Sequence, residues 1–515
     1  MPSVSPAAAE SPLVLALDLG TSSFRALIYD AQVRALDGSE QQLTYPLETT
    51  ADGGVQVDAG RLVDLVVQCV DGVLAAIGPE VARRIAAVGT TSFWHSLLGL
   101  DADGAPVTPV LIWADSRSGK QVDRLRLELD AGDVHQETGT FIHSSYWPAK
   151  LRWIREERPE WWGRVRNWCS FTDYLFERLA GDGRTSISMA SGTGLLAVHD
   201  NRWHAGMAEV AGIDLTMLPE LTERDRPLRP LRDEWARRWP ALAAVPWFPA
   251  IGDGAAANVG SFAARPGRLA LTLGTSGALR MIARTGRVRV PEGLWAYRLD
   301  GQRYVLGGAL SNGGNTTQWL MDLLGAGFGG DDLRAACELA PDSHGLTMLP
   351  FLAGERSPTW NDHARGTIVG LRLATTKAHL LRVAMESVVY RFGLIASRLI
   401  PMSGEAPMVI ANGGAILRSE PWLQMTADVL GEPVIALPAE DEASAAGAAI
   451  VALVGAGFLP DIESAPDWAI DGHTRRFTSN PVHHRVYLAA SERQKELERR
   501  LFPEGTTWDS GTNRP

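Results

Sequence analysis

Short apolar runs that stop at a glycine and resume as a second apolar run dominate this chain, and one such pattern occurs twice. Residues 15–22 read LALDLGTS and residues 269–276 read LALTLGTS, half a chain apart. Each copy predicts a strand, a tight turn permitted by Gly20 or Gly274, and a return strand, over 24–29 in the first half and 278–282 in the second. A repeat at this spacing implies two related domains, each opening on a hairpin. The copies differ internally at Asp18 and Thr272, so a carboxylate stands in one half only. Symmetric scaffolds with asymmetric chemistry work at the cleft between their halves.

Apolar residues recurring every three to four positions predict helices over 61–77, 121–129 and 149–156, and again over 316–324, 377–399 and 421–430. Further strands are expected over 86–90, 303–307 and 408–411. Hairpins followed by alternating helix and strand define an α/β class with a mixed sheet in each half. The proline-rich stretch 240–249 marks the junction, so the expected division is 12–248, 249–460 and 461–515. The last part is expected to hold a charged helix over 482–501 that returns to the first domain, then a disordered tail from 504. The first twelve residues are expected to dangle.

The uncharged run 443–459 approaches the roughly 18 to 20 residues that span a membrane, but it is rich in alanine and glycine. Small residues let backbones approach, so it reads as a buried helix packed closely on a sheet. MPSVSPAAAESP carries no positive charge and Asp18 interrupts the apolar stretch behind it, so no signal peptide is expected. A net charge of −11 without basic runs excludes nucleic acid as an expected partner. Cys69, Cys169 and Cys337 are odd in number and far apart, which fits reduced thiols and a cytoplasmic location.

The chain has no GxxxxGK[ST], because Gly119-Lys120 lacks both the upstream glycine and the following hydroxyl residue. Phosphate must be held another way. Gly20-Thr21-Ser22 and Gly274-Thr275-Ser276 each place a permissive glycine and two hydroxyls on a turn, and two such turns facing one another would clamp a triphosphate. Asp18 is then the natural partner of a nucleotide-bound Mg²⁺, a hard cation that takes carboxylate oxygen. Asn412-Gly413-Gly414, closing the apolar strand MVIA, allows a flat ligand or a phosphate close to the backbone.

ALDLGTSSFRALIYD at 16–30, LALTLGTSGALR at 269–280, VIANGGAILRSEPWLQMTADVLGEPV at 409–434 and IGDGAAANVGS at 251–261 together resemble the FGGY carbohydrate kinase family. YWPAKLRWIREE and GTIVGLRLATTKAHLLRVAME resemble its two signatures, with departures at Trp147 and Val383. The likeness runs from about residue 13 to 501. It implies two actin-like ATPase domains of ribonuclease H type with a deep interdomain cleft, and ATP and Mg²⁺ as cofactors. It further implies Asp253 as the base, Gly274 and Thr275 at the β- and γ-phosphates, and Gly413, Gly414 and Ser444 around adenosine and α-phosphate.

The sugar pocket is expected from the first domain, with Trp94, His95, Trp113, Asp115, Arg117, His143 and Ser145. Aspartate accepts hydroxyl hydrogen bonds and tryptophan gives an apolar wall, while His95, His143 and Arg117 could donate to a sugar-acid carboxylate, Arg117 reading equally as a structural ion pair with Asp115 two residues away. WADSRS, TGTFIH, GGALSNGG and LPFLAGERSPTWN resemble the gluconokinase branch more than the glycerol kinases. The expected reaction is D-gluconate to 6-phosphogluconate, with a xylulokinase-type ketopentose kinase as the alternative. A non-catalytic actin-fold regulator is the alternative of another class, and retention of Asp18 and Asp253 speaks against it. Expected partners are therefore a small sugar or sugar acid, no nucleic acid and no membrane, with a homodimer left open.

Overall fold

The structure, a computed structural model, describes residues 3–325, 330–361, 363–404, 406–438, 442–470 and 474–503. Both LAL(D/T)LGTS copies fold as the hairpins their pattern predicts. Leu13–Leu19 pairs antiparallel with Ser23–Tyr29, and Arg268–Leu273 pairs antiparallel with Gly277–Arg284. On its other edge each first strand takes a parallel neighbour, Ile85–Ser92 in one half and Met408–Asn412 in the other. The halves thus repeat a topology as well as a sequence, and each hairpin lies inside a seven-stranded mixed sheet. Leu15, Leu17, Leu269 and Leu271 are fully buried, as expected of central strands covered on both faces.

The remaining predicted elements form close to their expected bounds. The 377–399 helix appears as Lys377–Leu399, with Thr376 capping its first turn, and the 421–430 helix as Glu420–Leu430. The 61–77 helix extends to Ala59–Ala82, with Gly78 at φ 72° breaking its geometry. It is the described helix long and apolar enough to cross a membrane, yet Leu62, Val66, Val70 and Val73 are fully buried in the first core.

The alanine-rich run forms Ala443–Gly455, which packs on Leu13–Leu19, Ile85–Ser92 and the helix Asp253–Gly260. This contact runs backbone against backbone. A Cβ added to Gly447 would lie 1.9 Å from the Ala256 carbonyl oxygen, one on Gly260 1.9 Å from that of Ala443, and one on Gly89 2.2 Å from that of Ala448. A helix of the second half of the sequence therefore seals the first sheet and fixes the helix that Asp253 begins.

Four expectations need correction or fall elsewhere. The N-terminal segment docks rather than dangles, because Ser3–Val4 pairs with Ala35–Leu36 and Arg84 donates to the carbonyls of Pro6 and Ala9. The junction is not at 249, since Ile251–Gly252 is a strand of the first sheet, parallel to Ile85–Ser92. The C-terminal helix, Pro481–Leu501, returns to the second half and not the first. Its inward face, Tyr487, Ala490, Gln494 and Glu498, meets Lys377–Leu399, Glu420–Leu430 and the strand Thr347–Leu349, with Gln494 donating to the carbonyls of Met348 and Ser387. The tail from 504 lies outside the described residues.

Candidate active site

Both glycine-hydroxyl turns open into one crevice between the halves. Thr21 of the first turn and Ser276 of the second line the same cavity of about 290 Å³, together with Asp253. Each turn is closed by its own backbone, Gly20 N–H donating to Ser23 O at 3.0 Å and Gly274 N–H to Ser276 O at 3.0 Å. Tyr45 braces the first through its hydroxyl on Gly20 O at 2.7 Å. Nothing lies within 4 Å of where a Gly274 Cβ would stand, so that approach is open, and Ser22, Thr275 and Ser276 are exposed at its rim.

A second cavity of about 240 Å³ adjoins the first and shares Asp253, Gly254, Thr272 and Arg280 with it. Its remaining lining includes Asn412, Gly413, Glu442 and Ser444. The NGG turn and the start of the alanine-rich helix, remote in sequence, thus meet there. Gly414 lies one step outside this lining. Gly413 has φ 98°, and a Cβ there would strike Leu273 O at 2.7 Å, so only glycine lets this turn pack on the second repeat.

Asp253 directly follows the edge strand Ile251–Gly252 of the first sheet and begins the helix Asp253–Gly260, with Oδ1 accepting from Gly254 N–H at 2.7 Å. Burial raises its pKa, while the Arg280 guanidinium opposes that shift. Asp18 is pushed up to about 7 by burial and by the charge of Asp253, against the opposing pull of Arg25. Asp18 and Asp253 thus bring carboxylate oxygens near one another, beside the guanidiniums of Arg25 and Arg280. That oxygen-only donor set fits a hard divalent cation, and Asp18 is the residue that would hold Mg²⁺. The glycines beside Asp253 serve Trp94 more directly than a ligand: a Cβ on Gly252 would lie 1.8 Å from Trp94 Cε2, and one on Gly254 2.8 Å from Trp94 Cζ3.

An aromatic floor crosses from one half to the other. Trp94, its Nε1 donating to Ser188 O at 2.9 Å, meets Tyr297 edge-on at 4.7 Å, and Tyr297 stacks on Trp295 at 4.4 Å. Tyr146 and Tyr297 share a hydroxyl hydrogen bond of 2.7 Å across the cleft. Trp360 stacks on Phe141 at 4.1 Å and closes one end. Trp113, 39% exposed, carries the Arg356 guanidinium over its ring at 5.3 Å. Tyr146, Arg280, Trp295, Tyr297, Arg356 and Trp360 all line the cavity, and none was among the expected sugar-site residues.

Of the expected residues, Trp94, His95, Trp113 and Ser145 line the cavity, and Asp115 and Arg117 do not. Arg117 binds Asp115 through Nε and Nη2, donates to Gln56 Oε1 at 2.8 Å and lies over Trp153 at 4.4 Å. Asp115 also accepts from Val55 N–H. Residues two apart on a turn have satisfied one another, so this pair buttresses the site from behind. His143 lines an adjoining outer cavity instead, its Nδ1 accepting from Ser145 N–H at 3.1 Å.

His95 is also corrected as a carboxylate donor. It sits at φ 70°, its Nδ1 bonds Gly192 O at 2.5 Å, and burial lowers its pKa to about 3. A carbonyl only accepts, so the neutral ring carries its proton on Nδ1 and offers Nε2 as an acceptor for a hydroxyl.

Lys150, fully buried beneath the site, donates to Ile112 O at 2.8 Å and Ser145 O at 2.7 Å. Burial lowers its pKa to about 7, against the pull of Asp115. Two donated hydrogens are what a neutral amine has. Because the unfolded lysine stays protonated to about pH 10, this group disfavours folding below pH 7 and ceases to do so as pH rises from 7 towards 10. Unfolding free energy relative to Lys150→Met should therefore rise by up to about 1.4 kcal/mol per pH unit over that window. Denaturant titrations of both proteins at pH 7, 8 and 9 check this; a constant difference contradicts it.

Away from the cleft, Asp342, His344 and Glu386 come together, but Arg382, Arg493 and Tyr390 already bond their carboxylates. The three cysteines are unpaired.

Two sheets built on one repeated hairpin, with a carboxylate, paired glycine-hydroxyl turns and an aromatic floor between them, define a two-lobed phosphotransferase acting on a small hydroxylated molecule. Comparison with known proteins agrees. The models of the N-terminal and C-terminal domains of the FGGY family of carbohydrate kinases match residues 13–260 and 269–456, and the chain belongs to that family. The gluconokinase of Bacillus subtilis (strain 168) is 29% identical over 90% of this chain and 91% of its own length. The glycerol kinase of Gloeobacter violaceus is 30% identical over 96% and 99%. Among solved structures, gluconate kinase from Lactobacillus acidophilus superposes with a TM-score of 0.88 at 25% identity, covering 95% of this chain and 98% of its own. Xylulose kinase from the same organism gives 0.89 at 25% identity, over 96% and 99%.

Proposed function

We propose that this carbohydrate kinase transfers the γ-phosphoryl group of ATP to D-gluconate, giving 6-phosphogluconate, with Asp253 taking the proton of the attacked hydroxyl. The observation that supports the reading is the shared cavity, which Asp253 lines together with Thr21 and Ser276 of the two turns and with Trp94, Trp295 and Tyr297. Phosphoryl transfer asks the protein for position, a proton acceptor and positive charge rather than covalent work. His95 Nε2 accepts one acceptor hydroxyl, and the indole faces exclude water from the reacting end. Asp18 would hold Mg²⁺, which would supply charge neutralisation for the phosphates. Asn412, Gly413 and Ser444 line the adjoining space for the rest of the nucleotide.

The acid end of the acceptor is assigned to Arg356. Its guanidinium, against Trp113, belongs to the acceptor cavity and to the outer cavity beyond it, and guanidinium pairs with carboxylate more strongly than with neutral hydroxyl. Relatives named gluconokinase support the same choice. A coupled assay of ADP release over gluconate, xylulose, ribulose, glycerol, fuculose and rhamnulose tests it. Gluconate should lead in kcat/KM by about 10²-fold, and Arg356→Met should remove most of that lead while leaving slow turnover of neutral acceptors. Preference for xylulose would move the assignment to a ketopentose kinase. ADP release that ignores every acceptor would remove the kinase reading altogether.

A further inference from the structure

Arg280 stands where the acceptor cavity and the nucleotide cavity meet, lining both together with Asp253. Its strand, Gly277–Arg284, leaves the second Gly-Thr-Ser turn directly. Two glycines make room for it. Gly307 faces Arg280 in antiparallel register, and a Cβ there would lie 2.9 Å from Arg280 Cγ, so the stem lies flat across the neighbouring strand. At the other end a Cβ on Gly254 would lie 3.0 Å from Arg280 Nε. The head is thereby held against the residue that follows Asp253.

The asymmetry of the repeat bears directly on this side chain. Arg280 Nη1 donates to Thr272 Oγ1 at 3.4 Å, and Thr272 occupies the position that is Asp18 in the first copy. A carboxylate at 272 would neutralise the guanidinium beside its own strand. Threonine gives it a neutral partner and leaves its charge to the cleft. Burial lowers the pKa of Arg280 to about 10, so it stays protonated at neutral pH.

We propose that Arg280 is a catalytic residue whose guanidinium donates to the oxygens of the phosphoryl group as it passes from the nucleoside triphosphate to the acceptor. This rests on the kinase reading above. In that step the acceptor oxygen forms a bond to the γ-phosphorus and its proton goes to the Asp253 carboxylate. The bond from the γ-phosphorus to the β–γ bridging oxygen breaks, and its electron pair leaves with ADP. Arg280 keeps its protons and balances negative charge that spreads over the three transferring oxygens. The two cleft arginines then divide the work: Arg356 lines the acceptor and outer cavities, Arg280 the acceptor and nucleotide cavities.

Arg280→Met keeps the stem and removes the charge. It should lower kcat about 10³-fold while the KM values for ATP and acceptor change only a few-fold, as loss of a transition-state contact requires. Arg280→Lys should recover part of kcat, and millimolar guanidinium should raise the turnover of Arg280→Ala without raising that of wild type. An acceptor KM that climbs while kcat holds would overturn the proposal and make Arg280 a carboxylate anchor. If Arg280→Met melts below assay temperature, the lysine variant decides: wild-type kcat there also overturns it. Wild type lacking acceptor-dependent ADP release would instead count against the kinase reading itself.

Discussion

Asp253→Asn is expected to lower acceptor-dependent kcat by about 10²- to 10⁴-fold while ATP still binds. The amide keeps the shape of the side chain and its contact with Gly254 N–H, but it cannot take a proton. Burial raises the pKa of Asp253, which brings its basicity nearer to the working pH, and Arg280 keeps the shift within bounds. A base of this kind acts on the attacked hydroxyl and not on the nucleotide, so the loss belongs to kcat and kcat/KM together. Single-turnover measurements of ADP formation, with ATP affinity from calorimetry, check both halves of the expectation. Loss of ATP binding, or an unchanged rate, would remove Asp253 from the role assigned to it.

Gly447→Ala is expected to cost about 3 kcal/mol of stability, a large effect for one methyl group. The added carbon would lie 1.9 Å from the Ala256 carbonyl oxygen and 2.6 Å from its carbon, and backbone has no rotamer to yield. Relief requires the Ala443–Gly455 helix to lift from Asp253–Gly260 and from the first sheet. Because Asp253 begins one of these helices and Ser444 lies in the first turn of the other, activity should fall further than stability alone accounts for. Denaturant unfolding alongside kcat at a temperature where the variant is folded separates the two effects. Alanine tolerated at 447 would mean that the two helices are not held by close backbone contact.

The strands of both hairpins and the long helices were legible because one face or both faces of each element must be buried, and that need writes a period into the chain. Lys377–Leu399 shows this most plainly, its bounds following from apolar spacing and a capping threonine. The alanine-rich helix was readable as close-packed from its small residues, though not which sheet it covers. The glycine-hydroxyl turns were visible because they occur twice.

What could not be read depends on distance in sequence. Tyr146 and Tyr297 bond across 151 residues, and no local pattern announces that meeting. Arg280 and Arg356 did carry a signal, each a lone cation in a motif already marked by its glycines, GTSGALR and LAGERSP. For Asp115 and Arg117 both a sugar contact and a local ion pair were legible, and WADSR states residue types and not directions, so the choice between them was not. Two residues apart with opposite charge, they pair locally before any ligand is considered. The C-terminal helix misled for a related reason: its span and charge were evident, but Arg391, which binds Glu498, lies far off in sequence.

The most direct test of the account is a crystal structure with gluconate and a non-hydrolysable ATP analogue. The γ-phosphate should lie between the turns at 20–22 and 274–276, with one acceptor hydroxyl within about 3 Å of the Asp253 carboxylate. A nucleotide held by one turn alone, or an acceptor whose hydroxyls all lie away from Asp253, would contradict it.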